Sequence, residues 1–407
     1  MELRELTRDL VSIPSHEDET AVGDFLESWL RRETDAVVHR DAAGNVLARR
    51  GGPDSIRLDE TNASTDDGTD SGRSLALVGH HDVVPPDETQ VTRDGEYVLT
   101  ERDGRLFGRG AADMKGAVAA AAIAFRDCDL ETGDGAADGR TGSTGAGDTG
   151  SPELWFASFV GEESGGRGAR HAIENGFIPD CAIVGEGSTN YSGPDVTDVA
   201  VAHRGRRGST ITARGTAAHA SEPEAGENAI YRAGEAIDVL RDLEVPTVEV
   251  AGESLAGSVV ATEIEGGSGI NVIPASCSIT VDERTVPGER AALETVAALE
   301  GVEWTVDQDL PPMQCADESF ARRVLEAADA AQSGSPELVT KPHATDAGWL
   351  AKAGTACVVC GPAEPGEAHT KNESVSMAVL ERCLETYRRL VTEWLARGRD
   401  DHGACSP

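Results

Sequence analysis

Apolar residues recur at helical spacing from Glu2 to Val11 and again from Glu19 to Thr34, with Ser15 available as a cap ahead of the second stretch. Asp41-Ala-Ala-Gly-Asn45 reads as a hairpin turn before the run Val46-Leu-Ala-Arg. Apolar strand-like runs then appear at Leu75 to Val78, Leu154 to Val160 and Cys181 to Val184. Such runs mark strands buried on both faces. Helical patterns intervene, an Ala-rich one from Met114 to Arg126 and another from Arg167 to Asn175. Buried strands alternating with helices predict an α/β domain with a largely parallel sheet.

From Val199 to Val306 the texture changes. Segments of alternating polarity (Ser209 to Ala213, Val259 to Ile264, Ser276 to Val281) are joined by helical patterns at Asn228 to Leu243 and Glu289 to Leu299. This predicts an inserted α+β domain over 199–306, flanked by a catalytic domain in two parts, 1–198 and 307–407. The second part reads as a helix (Glu318 to Ala331), a short strand (Ala356 to Val359) and a closing helix (Met377 to Ala396). Two stretches rich in Gly, Asp, Ser and Thr, Asp59 to Ser74 and Glu131 to Ser151, read as solvated acidic insertions peripheral to any site.

The 407 residues carry 36 Lys+Arg against 72 Asp+Glu, a net charge of −36. Only four lysines are present (Lys115, Lys341, Lys352, Lys371), so arginine supplies nearly all the positive charge. A surface this negative repels phosphates and argues against a nucleic-acid partner. With 39% hydrophobic residues the chain folds instead of remaining disordered. The acidic excess fits a halophilic protein in a salt-rich cytoplasm, where the Debye length shrinks to roughly 3 Å at molar salt and self-repulsion is screened. No run of 18 apolar residues exists and charge begins at the second residue, so neither a membrane span nor a secretory signal is expected. The eight scattered cysteines then read as reduced thiols, and Cys357-Val-Val-Cys360 as part of a core strand, not a metal or redox motif.

Each clear strand leads into ionisable residues: Gly79-His80-His81-Asp82, Gly161-Glu162-Glu163 and Gly185-Glu186-Gly187. In open α/β sheets the ligand site lies at the carboxyl ends of the strands, so these groups converge. Asp113 opens the Ala-rich helix, and His369 follows the Ala356 to Val359 strand. Two imidazoles and three carboxylates are what a pair of zinc ions needs, since carboxylates can bridge. His80 and Asp82, two apart, share one face of an extended segment, so Asp82 can orient the His80 ring. Glu162 and Glu163 point oppositely in extended backbone, one to ligate and the other, Glu162, to act as base toward a metal-bound water. Taken singly, each has a plainer reading: a core histidine, a solvated acidic pair, a helix N-cap, a loop histidine. Three separate strand ends carrying the pattern together favour the two-metal site. His81 reads as a bystander.

The segments Gly-His-His-Asp-Val-Val-Pro (79–85), Gly-Arg-Gly-Ala-Ala-Asp-Met-Lys-Gly (108–116), Gly-Glu-Glu-Ser-Gly-Gly (161–166), Gly-Glu-Gly (185–187) and Ala-His-Thr-Lys-Asn-Glu (368–373) resemble the co-catalytic zinc metallopeptidases. That family includes succinyl-diaminopimelate desuccinylase, acetylornithine deacetylase, aminoacylase and glutamate carboxypeptidase. The resemblance implies two Zn2+, with Co2+ or Mn2+ as substitutes. His80 and Glu186 would hold one ion, Glu163 and His369 the other, and Asp113 would bridge, with Glu162 as base and Asp82 beside His80. It implies that 199–306 is a dimerisation lid and the protein a homodimer. His219 resembles the histidine that enters the partner subunit's site to stabilise the oxyanion, and Arg204, Asn271 and Arg284 resemble binders of the substrate carboxylate. Two departures bear on substrate: Gly-Glu-Gly replaces the usual Gly-Glu-Pro, and His-Ala-Thr-Asp-Ala-Gly (343–348) stands where desuccinylases carry Gly-Thr-Ser-Asp-Gly-Arg. The implied activity is amide hydrolysis of an N-acyl amino acid, with N-succinyl-diaminopimelate first, N-acetylornithine second and a general aminoacylase or carboxypeptidase third. A catalytically silent metal-binding relative would have lost the base or a ligand, and a redox protein would depend on Cys357 and Cys360.

Overall fold

The computed structural model describes residues 1–52, 74–128 and 152–400. The two acidic low-complexity stretches lie outside the described residues, apart from Ser74, which begins a strand. The chain forms two compact units. Residues 1–201, 315–339 and 349–407 make unit 1; residues 202–314 and 340–348 make unit 2.

Unit 1 is built on the sheet that the apolar runs predict. The strand Ser74–His80 lies parallel between Glu153–Phe159 and Cys181–Val184, and Ala356–Val359 continues the parallel set beside Cys181–Val184. On the other side, Val46–Gly51 pairs antiparallel with Glu153–Phe159 and with Val37–Arg40, the hairpin joined through the Asp41 turn. That turn forms because the Asp41 carboxylate accepts from the backbone N–H groups of Ala43, Gly44 and Asn45 at 2.9–3.0 Å.

The helices Glu2–Ser12, Thr20–Glu33, Arg167–Glu174 and Glu318–Ala330 bury the faces their periodicity marks. The Ala-rich helix Gly116–Arg126 is different, because every position from Gly116 to Phe125 is buried. Its small side chains let it pack tightly against the closing helix Met377–Asp400 and against Glu2–Ser12. It also starts later than expected. Ala111–Lys115 is a single wide turn in which Asp113 (φ −124°, ψ 94°) and Met114 leave helical geometry. Asp113 is therefore no N-cap.

Asn45, fully buried, links this scaffold to the segment after Glu153–Phe159. Its Oδ1 accepts from Val160 N at 3.0 Å, and its Nδ2 donates to Gly168 O at 2.9 Å.

Unit 2 carries an antiparallel sheet in the order Ser258–Gly266, Ser276–Thr285, Gly205–Arg214, Val302–Leu310. The helix Ala229–Asp242, capped by the Asn228 side chain onto Ile230 N, covers one face with Ala229, Ala233, Ala236 and Leu240. The predicted helix over Glu289 to Leu299 is not formed. Only a 3-10 segment, Leu293–Ala298, is present. Its two buried residues, Leu293 and Val296, are three apart, which matches three residues per turn and gives no stripe long enough for an α-helix.

All seven cysteines among the described residues are free thiols, as the sequence predicts. Cys357 lies in the buried Ala356–Val359 strand, and burial pushes the Cys360 thiol up to about 12, which suits packing and not redox exchange. Among the described residues no helix is long and apolar enough to cross a membrane.

Replacing Asn45 by Ala removes an acceptor from a buried N–H and a donor from a buried carbonyl. Urea unfolding should show a loss of about 1–3 kcal/mol. A change below about 0.5 kcal/mol would show that these bonds do not secure the Val160–Gly168 segment.

Candidate active site

The strand ends deliver their side chains to one place within unit 1. His80 is the last residue of its strand and only 1% exposed. Its Nδ1 sits 3.1 Å from the carbonyl oxygen of Asp82, which leaves Nε2 facing Asp113 Oδ1 at 3.1 Å and Glu186 Oε1 at 3.4 Å. The other oxygen of Asp113, Oδ2, lies 3.1 Å from His369 Nε2, and that nitrogen is 3.0 Å from Glu163 Oε1. One carboxylate thus faces two groups, His80 with Glu186 and His369 with Glu163. In each triad the ligand atoms lie within 4.8 Å of one another.

The donor chemistry fits a divalent ion at each group. Bonds of about 2.1 Å at tetrahedral angles separate neighbouring ligand atoms by about 3.4 Å, and the separations here run from 3.0 to 3.4 Å. Mixed imidazole and carboxylate sets suit zinc and its neighbours in the first transition row. Three carboxylates converging on two imidazoles also explain the basicities. Burial pulls His80 down, but hydrogen bonds to Asp113, Asp82 and Glu186 outweigh it and raise its pKa well above the ordinary value. His369 is raised to about 10, chiefly by Asp113 and Glu163. Asp113, whose burial alone would raise it, is held low by His369 and His80. Burial raises Glu163.

Asp82 stands beside the His80 ring and also holds the turn that carries Glu162 and Glu163. Its carboxylate is 3.5 Å from His80 Nδ1, and the nearer contact to the ring is its backbone carbonyl. The carboxylate itself accepts from the backbone N–H groups of Glu162 at 3.1 Å and Glu163 at 3.0 Å, one to each oxygen. Those two glutamates are not in extended backbone. They form a turn closed by Gly165 N and Gly166 N on Glu162 O at 2.9 and 3.1 Å. A tight turn places both carboxyl groups on the strand end without an alternating strand.

Gly187 stands where a Pro is usual, and the packing gives the reason. A Cβ there would come within 2.6 Å of Ala363 O, and one on Gly361 within 2.0 Å of Gly185 O. The loops after the Cys181–Val184 and Ala356–Val359 strands therefore run backbone against backbone. Ser188 N donates to Gly361 O at 3.1 Å, and Thr189 N donates to Ala363 O at 3.2 Å. That contact ties the Glu186 loop to the one that carries His369.

His81 is buried, donates or accepts at Ser158 Oγ (2.8 Å), and is held neutral by burial with its pKa lowered to about 3. It lies outside both ligand groups. Residues not singled out in the sequence also shape the site. Arg105 bonds Ser374 and pairs with Glu364 and Glu367, and Gln90 Nε2 donates to Thr370 O at 3.2 Å; both grip the His369 loop. Their only sequence signal was proximity to the quoted motifs.

The remaining predicted residues belong to unit 2. His219 and Asn271 come together there, because Ala218–His219 pairs antiparallel with Val272–Ile273, and Asn271 Nδ2 lies 3.4 Å from His219 Nε2. His219 is exposed and bonds Ser221 Oγ through Nδ1 at 2.6 Å. Arg284 is held by Asp282 at 2.8 Å. The buried Arg204 Nε has no hydrogen-bond partner among the described residues.

A mixed α/β sheet with parallel central strands and this constellation at their ends defines a metal-dependent hydrolase of amide bonds. Comparison with known proteins agrees. Residues 76–135 match the model of peptidase family M20/M25/M40, and residues 201–299 match the peptidase dimerisation domain. The acetylornithine deacetylase of Myxococcus xanthus is 31% identical over 381 residues, 88% of this chain and 90% of that protein. The chain belongs to the M20 peptidase family. Solved structures share the fold, among them the aminopeptidase PepT of Bacillus cereus (TM-score 0.69, 20% identity, 97% of this chain and 98% of that one). Another is a dinuclear metal-binding M20 peptidase of Bacillus subtilis (TM-score 0.65, 17% identity, 97% of both chains).

A pKa of about 10 means that His369 carries a proton at pH 7 when no metal is bound. A ligating imidazole must be neutral, so loading should release at least one proton near pH 7, and affinity should rise with pH up to about 10. Calorimetric titration of the metal-free protein in buffers of different ionisation enthalpy measures this. Loading without proton release would contradict the electrostatics described here.

Proposed function

We propose that the chain is a deacylase that hydrolyses the amide of an N-acyl amino acid, with N-acetylornithine as the leading substrate. The observation that carries the reaction class is the Asp113 carboxylate, whose two oxygens face two separate ligand groups. The ranking of substrate rests on the 31% identity to an acetylornithine deacetylase. It moves N-succinyl-diaminopimelate, first on motifs alone, to second place, in keeping with the departure over 343–348.

In this reading His80 and Glu186 hold one ion, Glu163 and His369 the other, and Asp113 is shared, with zinc as the leading metal and cobalt or manganese as substitutes. When bound, the metals supply Lewis-acid polarisation of the reacting oxygen atoms. Glu162 takes a proton from the attacking water and returns it to the leaving nitrogen, so the proton count balances. Asp82 fixes where Glu162 stands, by gripping its backbone N–H. His219, next to Asn271, serves the oxyanion, and Arg204 and Arg284 serve the substrate carboxylate, for which a guanidinium fork can donate two parallel bonds. The domain limits 1–198, 199–306 and 307–407 are proposed as the two catalytic parts and the inserted dimerisation lid.

A hydrolysis assay in molar KCl with added zinc should compare N-acetylornithine, N-succinyl-diaminopimelate, other N-acyl amino acids and small peptides. The expected order puts N-acetylornithine first, with turnover abolished by a chelator. Chelator-insensitive turnover would sink the reaction class, and preference for another substrate would sink the ranking alone. Glu162→Gln should keep its metals and lose about 10²–10⁴-fold in kcat.

We further propose that the protein is a homodimer formed through unit 2. The strand Ser258–Gly266 lies at an edge of its sheet and exposes Val260 and Ile264 at 51% and 53%. An edge strand with exposed apolar residues is a ready template for another chain. Sedimentation should give a dimer that Ile264→Lys shifts toward monomer; a wild-type monomer at micromolar concentration would overturn this.

A further inference from the structure

Glu373 is only 1% exposed, yet nothing in the proposed chemistry uses it. Its Oε1 accepts two backbone hydrogen bonds, from Ala112 N at 3.0 Å and from Asp113 N at 3.2 Å. Its Oε2 accepts from Arg109, also buried, at 2.5 Å. These amides lie in the turn Ala111–Lys115, where Asp113 and Met114 depart from helical geometry and the regular helical ladder has not begun. Buried N–H groups need acceptors, and here one carboxylate oxygen supplies two. The backbone of Glu373 is anchored as well: its carbonyl accepts from Gly108 N at 3.1 Å, and its N–H donates to Thr370 O at 3.3 Å. Glu373 thus stands four residues after His369 and grips the main chain of Asp113 directly.

We propose that Glu373, neutralised by Arg109, is the positioning residue for Asp113 and sets the orientation in which that carboxylate faces both ligand groups at once. This rests on the two-metal reading above. Burying a carboxylate is costly unless it is paired and hydrogen-bonded, and Glu373 meets both conditions through Arg109 and two amides. A neutral amide in its place would offer its NH2 to the Arg109 guanidinium, donor against donor, and the grip on the Asp113 turn would loosen. Groups that hold ligands in place typically change metal affinity by about 10–100-fold when removed.

The test uses the full-length protein, stripped of metal and titrated with Mn2+. The wild type should bind two ions, and its electron paramagnetic resonance spectrum should show exchange coupling carried by the shared carboxylate. Glu373→Gln should keep the wild-type circular dichroism, bind Mn2+ about 10–100-fold more weakly and lose the exchange-coupled signal. Glu303→Gln, a change at an exposed glutamate of unit 2 that pairs with Arg214, should keep both properties. If Glu373→Gln folds poorly, the pair Arg109→Leu/Glu373→Leu removes the acceptor itself without leaving a buried charge, and the same two readouts decide. A folded variant with wild-type affinity and intact coupling would overturn the inference. A wild type that binds one ion or none would instead overturn the two-metal reading on which it rests.

Discussion

The dominant constraint on unit 1 is the concentration of negative charge at its strand ends. Asp82, Asp113, Glu163, Glu186 and Glu373 are brought close together with little water to solvate them. Buried like charges cannot all stay ionised without compensation. The protein supplies compensation in three forms. Imidazoles face the ligand carboxylates, backbone N–H groups fill Asp82 and Glu373, and buried cations stand behind. Arg109 pairs with Glu373, and Lys115, fully buried, donates to Ile13 O at 2.6 Å with Glu373 and Asp82 as its nearest acidic influences. Burial lowers Lys115 to about 7, so the structure tolerates an ammonium there at a cost. Around Asp113 three carboxylates face two imidazoles, so negative charge is left over even when both rings are protonated, and divalent cations are the groups that suit it.

That electrostatic demand dictates the backbone. Placing one carboxylate between two ligand groups requires Asp113 to leave helical geometry, and a segment that leaves the helix orphans its amides. Glu373 meets that need. Likewise Glu162 and Glu163 lie in a turn, not a strand, and Asp82 accepts the amides that the turn leaves over. Each departure from regular structure is matched by a buried carboxylate that caps it. The same bonds that stabilise the turns aim the reactive groups.

Much of this was legible in the sequence, and the parts that were not share a cause. Long apolar runs read correctly as the strands containing Leu75 to Val78, Leu154 to Phe159 and Cys181 to Val184, because burial on both faces leaves no polar positions to confuse the pattern. The residues that converge, His80, Asp113, Glu163, Glu186 and His369, were recognisable from the glycine-flanked strand ends and the motifs around them. Local conformation was not. The Ala-rich run read as helix from Met114, yet the helix begins at Gly116, since periodicity reports burial and says nothing of where an amide finds its acceptor. Glu289 to Leu299 failed as a helix because its buried positions, Ala291, Leu293 and Val296, do not fall on one helical face. Asn45 and Glu373 both lie in segments the pattern marks, but their roles were not legible for a different reason: the partners that define those roles lie 115 to 264 positions away in the chain.

Charge on the surface and charge in the interior are governed differently in this chain. On the surface, arginine carries almost all the pairing, as in Arg214 with Glu303 or Arg389 with Glu385, and such exposed pairs contribute little individually. Inside, two of the four lysines, Lys115 and Lys341, are buried. A chain with a net charge of −36 can change its outer carboxylates freely, since screening by salt governs them. The carboxylates of Asp82, Asp113, Glu163 and Glu373 answer to geometry, because each is held by a partner at hydrogen-bond distance. Ionic strength should therefore act on the stability of the whole far more than on the arrangement around Asp113, whose two oxygens each lie 3.1 Å from an imidazole nitrogen, since partly buried pairs are screened much less than exposed charges.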